Sequence, residues 1–273
     1  NISQNRNEGV ALSGAEVLAG LSMDALIQNA GIDGSTTIVF TGPMTSATRA
    51  YFTFRYWGFP KNRLKVLDGL NTTWNTLYGP LTTGASPAVT PSTYSVQNIG
   101  VLGDRFRLSL AEMIDYADGK APNALAIDVR STATAGSYAG VRNSTGSNFA
   151  PTGDYLVFEG RIRGAKALLY TSLYNGTTYL FNTVDQLTTS FTTTVGLDST
   201  KTAYIYCFKG FMGAVPFFVL DGILGWPVAF YDGSWSQWGQ LSGNASMKGQ
   251  LAADSPWRTD IPSRSELIVY NFA

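Results

Sequence analysis

The residues of this chain best suited to chemistry lie in one stretch, Tyr204-Ile205-Tyr206-Cys207-Phe208-Lys209-Gly210-Phe211-Met212-Gly213. An apolar, aromatic run ends there on the chain's only cysteine and a turn punctuated by glycine. A short buried strand that passes through a tight loop into a helix aims backbone N–H groups and the positive end of the helix dipole at the loop interior. A thiol in such a place ionises more easily and becomes a nucleophile. The plainer reading is that a lone cysteine in apolar surroundings is a small buried hydrophobe.

The rest of the composition narrows the chemistry open to that thiol. None of the 273 residues is histidine, which removes Ser-His-Asp and Cys-His catalysis and histidine metal sites together. Any reactive group must therefore be activated by lysine, arginine, tyrosine or backbone dipoles. A single cysteine excludes an internal disulfide framework and every CxxC metal or redox motif, so no metal or cofactor is expected. Nineteen basic residues balance nineteen acidic ones with no long run of either sign, which argues against nucleic acid as a partner. The run from Phe211 to Tyr231 is interrupted by Pro216, Asp221, Gly222, Gly225 and Pro227, so it reads as a buried helix, a turn and a strand and no membrane span is expected. The low charged fraction of 14% and the many Ser, Thr, Asn and Gly residues suggest an exported protein, whether periplasmic, cell-surface or extracellular.

The elements that must position Cys207 follow from periodicity. Residues 1–7 are polar and predicted to be loose. Leu18 to Ala30 has helical spacing ending at Gly31, and Thr36 to Phe40 is β-branched and apolar on both faces, as a buried parallel strand is. Ser46 to Trp57 places Ala47, Ala50, Tyr51, Phe54 and Trp57 on one helical face, and Lys65 to Leu67 is the next strand, which makes a βαβ unit. From Gly79 to Gln97 the chain turns to Pro, Thr, Ser and Gly, the composition of a linker. Ser109 three residues before Glu112 caps a helix to Ala117, and Ala124 to Val129 is a strand. Thr202 to Cys207, Pro216 to Leu224 and Val228 to Tyr231 form a second strand–helix–strand unit. The two units match at nearly constant offset: Gly31-Ile32-Asp33 with Gly196-Leu197-Asp198, Thr36 to Thr41 with Thr202 to Cys207, and Asp68-Gly69 with Asp232-Gly233. This pattern predicts a duplicated α/β chain in which Thr41 stands where the second copy has Cys207.

At this point the residues resemble a known family. Asp128-Val129-Arg130 is similar to a D-[VSA]-R motif, Gly160 to Ala165 to G-H-I-P-G-A, and Tyr231-Asp232-Gly233-Ser234-Trp235 through Trp238 to Y-D-G-S-W-x-x-W. Val66-Leu67-Asp68-Gly69 followed by Trp74 is similar to V-L-D-G-G-x-x-x-W. All four resemble motifs of the tandem-domain rhodaneses, which include thiosulfate and mercaptopyruvate sulfurtransferases. The resemblance covers most of the chain and implies an α/β fold of two rhodanese-like domains, each a small parallel sheet flanked by helices. Residues 1–80 would be a partial, non-catalytic domain, 81–105 a linker, and 106–273 the catalytic-type domain.

The resemblance also implies a mechanism. Cys207 as thiolate would take the outer sulfur of a small sulfur-containing donor, hold it as a persulfide cradled by the N–H groups of Phe208 to Gly213, and release it to a thiol or other thiophilic acceptor. Lys209 would be the nearest cation, with Asp128, Arg130, Arg161, Arg163, Asp232, Ser234 and Trp235 in support, Asp128 and Arg130 chiefly tying loops together. Phe208 and Met212 stand where thiosulfate-using members carry arginine and threonine or arginine, and Ser137 where they carry another anion-binding arginine. Losing two charge-assisted donors weakens sulfonate binding by about 1.5–3 kcal/mol each, which favours a softer donor such as a polysulfide unless Arg161 or Arg163 turns inward. Leu12 to Ala15 is similar to the first domain's own I-P-G-A, so that domain lacks its opening strand and helix. A shortened chain explains this, and filling by a neighbouring subunit, with self-association, is the alternative. A degraded rhodanese with a structural or binding role is the competing function. A cysteine phosphatase is disfavoured because Gly213 and Ala214 stand where a C-x5-R loop needs arginine.

Overall fold

The computed structural model describes residues 1–8, 11–99, 105–130 and 162–243. Two antiparallel strands open the chain, β1 (Gln4–Glu8) and β2 (Ala11–Glu16). Residues 4–7 of the stretch expected to be loose are therefore tied into a hairpin by backbone pairing, while residues 1–3 lie outside the strand. Helix α1 (Gly20–Asn29), strand β3 (Ile38–Phe40), helix α2 (Met44–Tyr56), strand β4 (Leu64–Val66) and helix α3 (Leu70–Tyr78) follow. Strands β3 and β4 pair in parallel as a two-stranded sheet. Beyond the second connection come α4 (Leu110–Ala117), β5 (Ala124–Asp128), β6 (Lys166–Ala167), α5 (Val184–Thr189), β7 (Thr202–Tyr206), α6 (Ala214–Phe218), β8 (Val228–Phe230) and α7 (Ser234–Gly243). The second sheet is parallel throughout, in the order β6-β5-β7-β8.

Local chemistry accounts for the boundaries. The Ser109 hydroxyl accepts from the Glu112 N–H while the Glu112 carboxylate accepts from the Ser109 N–H, a full capping box at the start of α4. Thr183 and Gln186 do the same for α5. Helix α6 runs on into a π-helical turn (Val219–Leu224) and stops at Gly225 in the left-handed conformation, as a C-terminal glycine allows. The two β-α-β units share one unusual detail: Leu70 and Ser234, each following an Asp-Gly pair, begin their helices at φ 53° and 54°. A side chain at positive φ is strained, and both helices tolerate it at the carboxyl end of a parallel sheet.

Among the described residues the core forms two clusters, and the larger one spans both sheets. Its centre is α2, whose buried set runs continuously from Ala47 to Arg55 and includes Thr48, Arg49 and Thr53. The periodicity predicted a single buried face. The structure differs because α2 is covered by its own sheet on one side and by α6 on the other. Edge-to-face rings make that second contact, with Phe52 4.9 Å from Phe217 and Tyr51 4.8 Å from Phe218 between centroids. The stretch expected to be a linker also docks in part. Asp24 on α1 accepts from Ser95, the Val96 N–H and Gln97, while the Gln28 amide donates to the Tyr94 carbonyl.

The two sheets are covered unequally. In the second, Ile205 and Trp238 are fully buried. At the matching positions of the first, Val39 is 57% and Trp74 40% exposed, and among the described residues β3 pairs with a strand on one edge only. Among the described residues no helix is long and apolar enough to cross a membrane.

Candidate active site

Cys207 lies one residue past the carboxyl end of β7, with the next loop curled back over it. Strand β7 sits between β5 and β8, so its end is fixed from both sides, and such strand ends are where parallel sheets present ligands. The Gly210 N–H points at the Cys207 Sγ from 3.2 Å, and the Ser234 hydroxyl lies 3.7 Å from the same sulfur. Ser234 accepts from the Cys207 N–H at 3.1 Å, and the carbonyls of Cys207 and Phe208 accept from the Trp235 and Ser236 N–H groups. The first turn of α7 thus clamps the front of the loop. Cys207 is 1% exposed.

The back of the loop is held by buried charge. Gly210 has φ +86°, and a Cβ there would stand 2.8 Å from the Ala15 carbonyl oxygen, 2.8 Å from that of Asp232 and 3.0 Å from Arg49 Nη1. Glycine is therefore required for both conformation and space. Arg49 Nη1 donates to the Gly210 carbonyl at 2.6 Å, and Nη2 reaches Asp232 Oδ2 at 3.3 Å. Asp232 also accepts from Arg107 Nε at 2.8 Å and from the Val17 N–H, while Arg107 Nη2 pairs with Glu16 at 3.0 Å. Burial lowers the Arg49 guanidinium against the opposing pull of Asp232, and arginine still keeps its charge.

Below the loop stands a second ion pair. Arg130 forms a two-bond fork with Asp128, at 2.8 and 2.6 Å, and the Tyr206 hydroxyl donates to Asp128 Oδ2 at 2.8 Å. Burial alone would lower the Arg130 guanidinium, but Asp128 outweighs it and the net shift is upward. Burial and then the Asp128 charge push the Tyr206 phenol well above its ordinary value, so it remains a donor. The Arg130 guanidinium is stacked 4.5 Å from the Trp235 ring and 5.1 Å from Phe208. Phe208 thus packs on an interior cation at the place where an anion-binding arginine was sought.

The structure gathers Asp128, Arg130, Asp232, Ser234 and Trp235 around the Cys207 loop. Lys209 is exposed, Met212 is half-buried against the core and Phe211 lies 6.0 Å from the Arg49 guanidinium. Arg163 is not brought in. It lines a depression with Tyr116, Pro122 and Ala124, at the amino-terminal end of β5 and hence the opposite end of the sheet from Cys207. Arg161 and Ser137 lie outside the described residues. Thr41, matched to Cys207 in the first unit, donates to Asn71 Oδ1 at 2.6 Å. Nearby, a groove of about 470 Å³ is lined by Gly42 to Thr45, Leu70 to Thr72, Tyr170, Tyr174 and Tyr179. Burial and then the charge of Cys207 raise the Tyr170 phenol, which places that ring in electrostatic reach of the sulfur. Sequence reasoning missed Glu16, Arg49 and Arg107. The available signal for Arg49 was a charged residue inside an aromatic helix, at a position that a helix covered all round must bury.

No protein-family model matches the chain. The fold is similar to that of Tum1 from Saccharomyces cerevisiae, with a TM-score of 0.67 at 21% identity over 84% of this chain and 74% of that one. It is also similar to SseA from Escherichia coli, described as having the "rhodanese" fold of 3-mercaptopyruvate sulfotransferases, with a TM-score of 0.59 at 21% identity over 79% and 73% of the two chains. In sequence the chain is 30% identical over 231 residues to the sulfur carrier protein TtuD of Thermus thermophilus, covering 82% of this chain and 75% of that protein. The chain belongs to the rhodanese family of sulfurtransferases. Sulfur transfer is the business of this family, and in this chain the loop from Cys207 to Gly213 curls back over a cysteine sulfur.

Proposed function

We propose that the protein transfers sulfane sulfur through a persulfide on Cys207, taking it from a polysulfide or persulfide donor in preference to thiosulfate. The observation that carries this reading is the Gly210 N–H aimed at Sγ from 3.2 Å on a loop fixed at both ends. The Cys207 thiolate attacks the outer sulfur of the donor, forming a new S–S bond as the donor's own S–S bond breaks. The donor leaves as the shortened thiolate or polysulfide anion with the bonding pair. An acceptor thiolate then attacks the outer sulfur, leaves as its persulfide and regenerates the Cys207 thiolate. No outside oxidant or reductant is required. The N–H of Gly210 stabilises negative charge on the sulfur in both steps, while the Ser234 hydroxyl, which donates to the Tyr231 carbonyl at 2.9 Å, holds the loop through the Cys207 N–H.

The donor preference is supported by where the cations point. Arg130 is engaged by Asp128 and stacked on Phe208, and Arg49 is engaged by Gly210 and Asp232. Neither is presented as an anion clamp, and Phe208 and Met212 supply no charge. The test is intact mass after incubation with polysulfide or thiosulfate. A gain of one sulfur from polysulfide, absent in Cys207→Ser, is expected, and no gain from any donor would refute the proposal.

A second reading, a rhodanese relative retained for a structural or binding role, is favoured by the 1% exposure of Cys207. It predicts a thiol inert both to sulfur donors and to iodoacetamide. Either reading is compatible with self-association through the first sheet, where among the described residues β3 has one unpaired edge and Val39 is exposed.

A further inference from the structure

We propose that Arg49 is a positioning residue through which the cysteine-free half of the chain controls sulfur transfer at Cys207. It does so by locking the Gly210 peptide so that the Gly210 N–H stays on the sulfur. The inference rests on Cys207 being the sulfur carrier, as proposed above, and adds what governs its reactivity.

Arg49 belongs to α2, the helix of the first β-α-β unit, and is fully buried. Its guanidinium is held among the rings of Phe52, Phe211 and Phe230, at 5.0, 6.0 and 5.8 Å from their centroids. Its Nη1 meets the Gly210 carbonyl at 2.6 Å while the N–H of that same residue meets Sγ at 3.2 Å. Both backbone groups of a single glycine are therefore committed, one to the sulfur and one to the other half of the chain. Glycine has the widest conformational range of any residue, so without the arginine nothing in its own side chain keeps it at φ +86°. The bond from Arg49 supplies that restraint.

Charge adds to geometry. Among the described residues Glu16, Arg49, Arg107 and Asp232 are joined in one network. Taking Arg49 away removes a cation from beside the Cys207 loop, which disfavours negative charge on the thiolate and on the persulfide. Arg130, paired with Asp128, and the Tyr170 phenol also feel the charge of Cys207.

A residue that merely fills the core changes stability alone. A positioning residue changes the rate of the folded protein and leaves donor binding as it was. The full chain is therefore compared as wild type, Arg49→Met and Arg49→Lys, with near-ultraviolet circular dichroism to show that each is folded. Single-turnover sulfur uptake from inorganic polysulfide and alkylation of Cys207 by iodoacetamide are measured on each. In R49M the maximal uptake rate is expected to fall about tenfold or more with the half-saturating polysulfide concentration unchanged. R49K is expected to recover part of the rate, since lysine keeps the charge but cannot fork between Gly210 and Asp232. A folded R49M with the wild-type uptake rate overturns the proposal. If R49M does not fold, R49K decides: a several-fold slower rate upholds the proposal and a wild-type rate overturns it. Wild-type protein that takes up no sulfur refutes the persulfide reading instead. In that event alkylation slowed in the order R49K then R49M upholds the action of Arg49 on the thiol, and equal alkylation rates overturn it.

Discussion

Replacing Asp232 by asparagine removes the charge that two arginines share. In the native protein Asp232 and Arg49 have side chains with no exposure, and Arg107 is 13% exposed. An ion pair near 4 Å is worth about 4 kcal/mol at the effective dielectric suited to protein sites, and Asp232 makes two. Asparagine can still accept from the Val17 N–H and from one arginine, so the hydrogen bonds are not all lost. What is lost is compensation of buried cations, and breaking a buried pair by removing one partner costs about 3–5 kcal/mol. That is a large fraction of the roughly 5–15 kcal/mol by which a domain is stable. Urea unfolding followed by tryptophan fluorescence suits the case, because Trp235 and Trp238 are fully buried in the adjoining helix. The D232N midpoint is expected to drop by the equivalent of about 3–5 kcal/mol with the slope unchanged. The double variant R49M/D232N is expected to lose less than the sum of the two single losses, because the partners share one interaction. A D232N protein within about 1 kcal/mol of wild type would refute the reasoning, since an exposed pair would behave that way.

Gly210→Ala forces a side chain into φ +86° and against the Ala15 and Asp232 carbonyls; a loss of about 2–4 kcal/mol in urea unfolding and a parallel fall in sulfur uptake are expected. The Asp33 carboxylate is held down to about 2 by hydrogen bonds from Ser35 and then Thr36. Its folded value lies below the ordinary one near about 3.9, so its contribution to stability is complete above that pH and is lost as the pH falls through about 2. Wild type and Asp33→Asn should therefore converge in thermal stability at the acid end of that window and diverge above it, and a constant difference across it would contradict the assignment. Val39→Lys places a charge on β3, which among the described residues has one unpaired edge; sedimentation should show weaker self-association than in wild type, and identical sedimentation of an associating protein would exclude that strand.

The elements around Cys207 were legible in the sequence because they announce themselves locally. The Ser109–Glu112 cap and the β-branched and aromatic alternation of Thr202–Tyr206 each depend on neighbours within a few residues. So does the Asp-Gly turn before Ser234. The network that holds the loop was not legible. Arg49 meets Gly210 and Asp232, Arg107 meets Glu16 and Asp232, and Arg55 and Tyr51 both meet Asp221 across the same helix pair. Those partners are remote in the chain, and no periodicity links them. The hairpin at the start was missed for a related reason, since a polar strand whose backbone is satisfied by its partner carries no apolar signature. Phe208 was noted as an absent cation, but its contact with Arg130 depends on packing that spacing does not encode.

The most direct measurement of the central claim is the intact mass of the purified chain after brief exposure to polysulfide, with wild type and Cys207→Ser side by side. Persulfide transfer at Cys207 predicts the mass of one added sulfur on wild type, discharged by a small thiol acceptor and absent from the serine variant. An unchanged wild-type mass, or the same gain on both proteins, would contradict it.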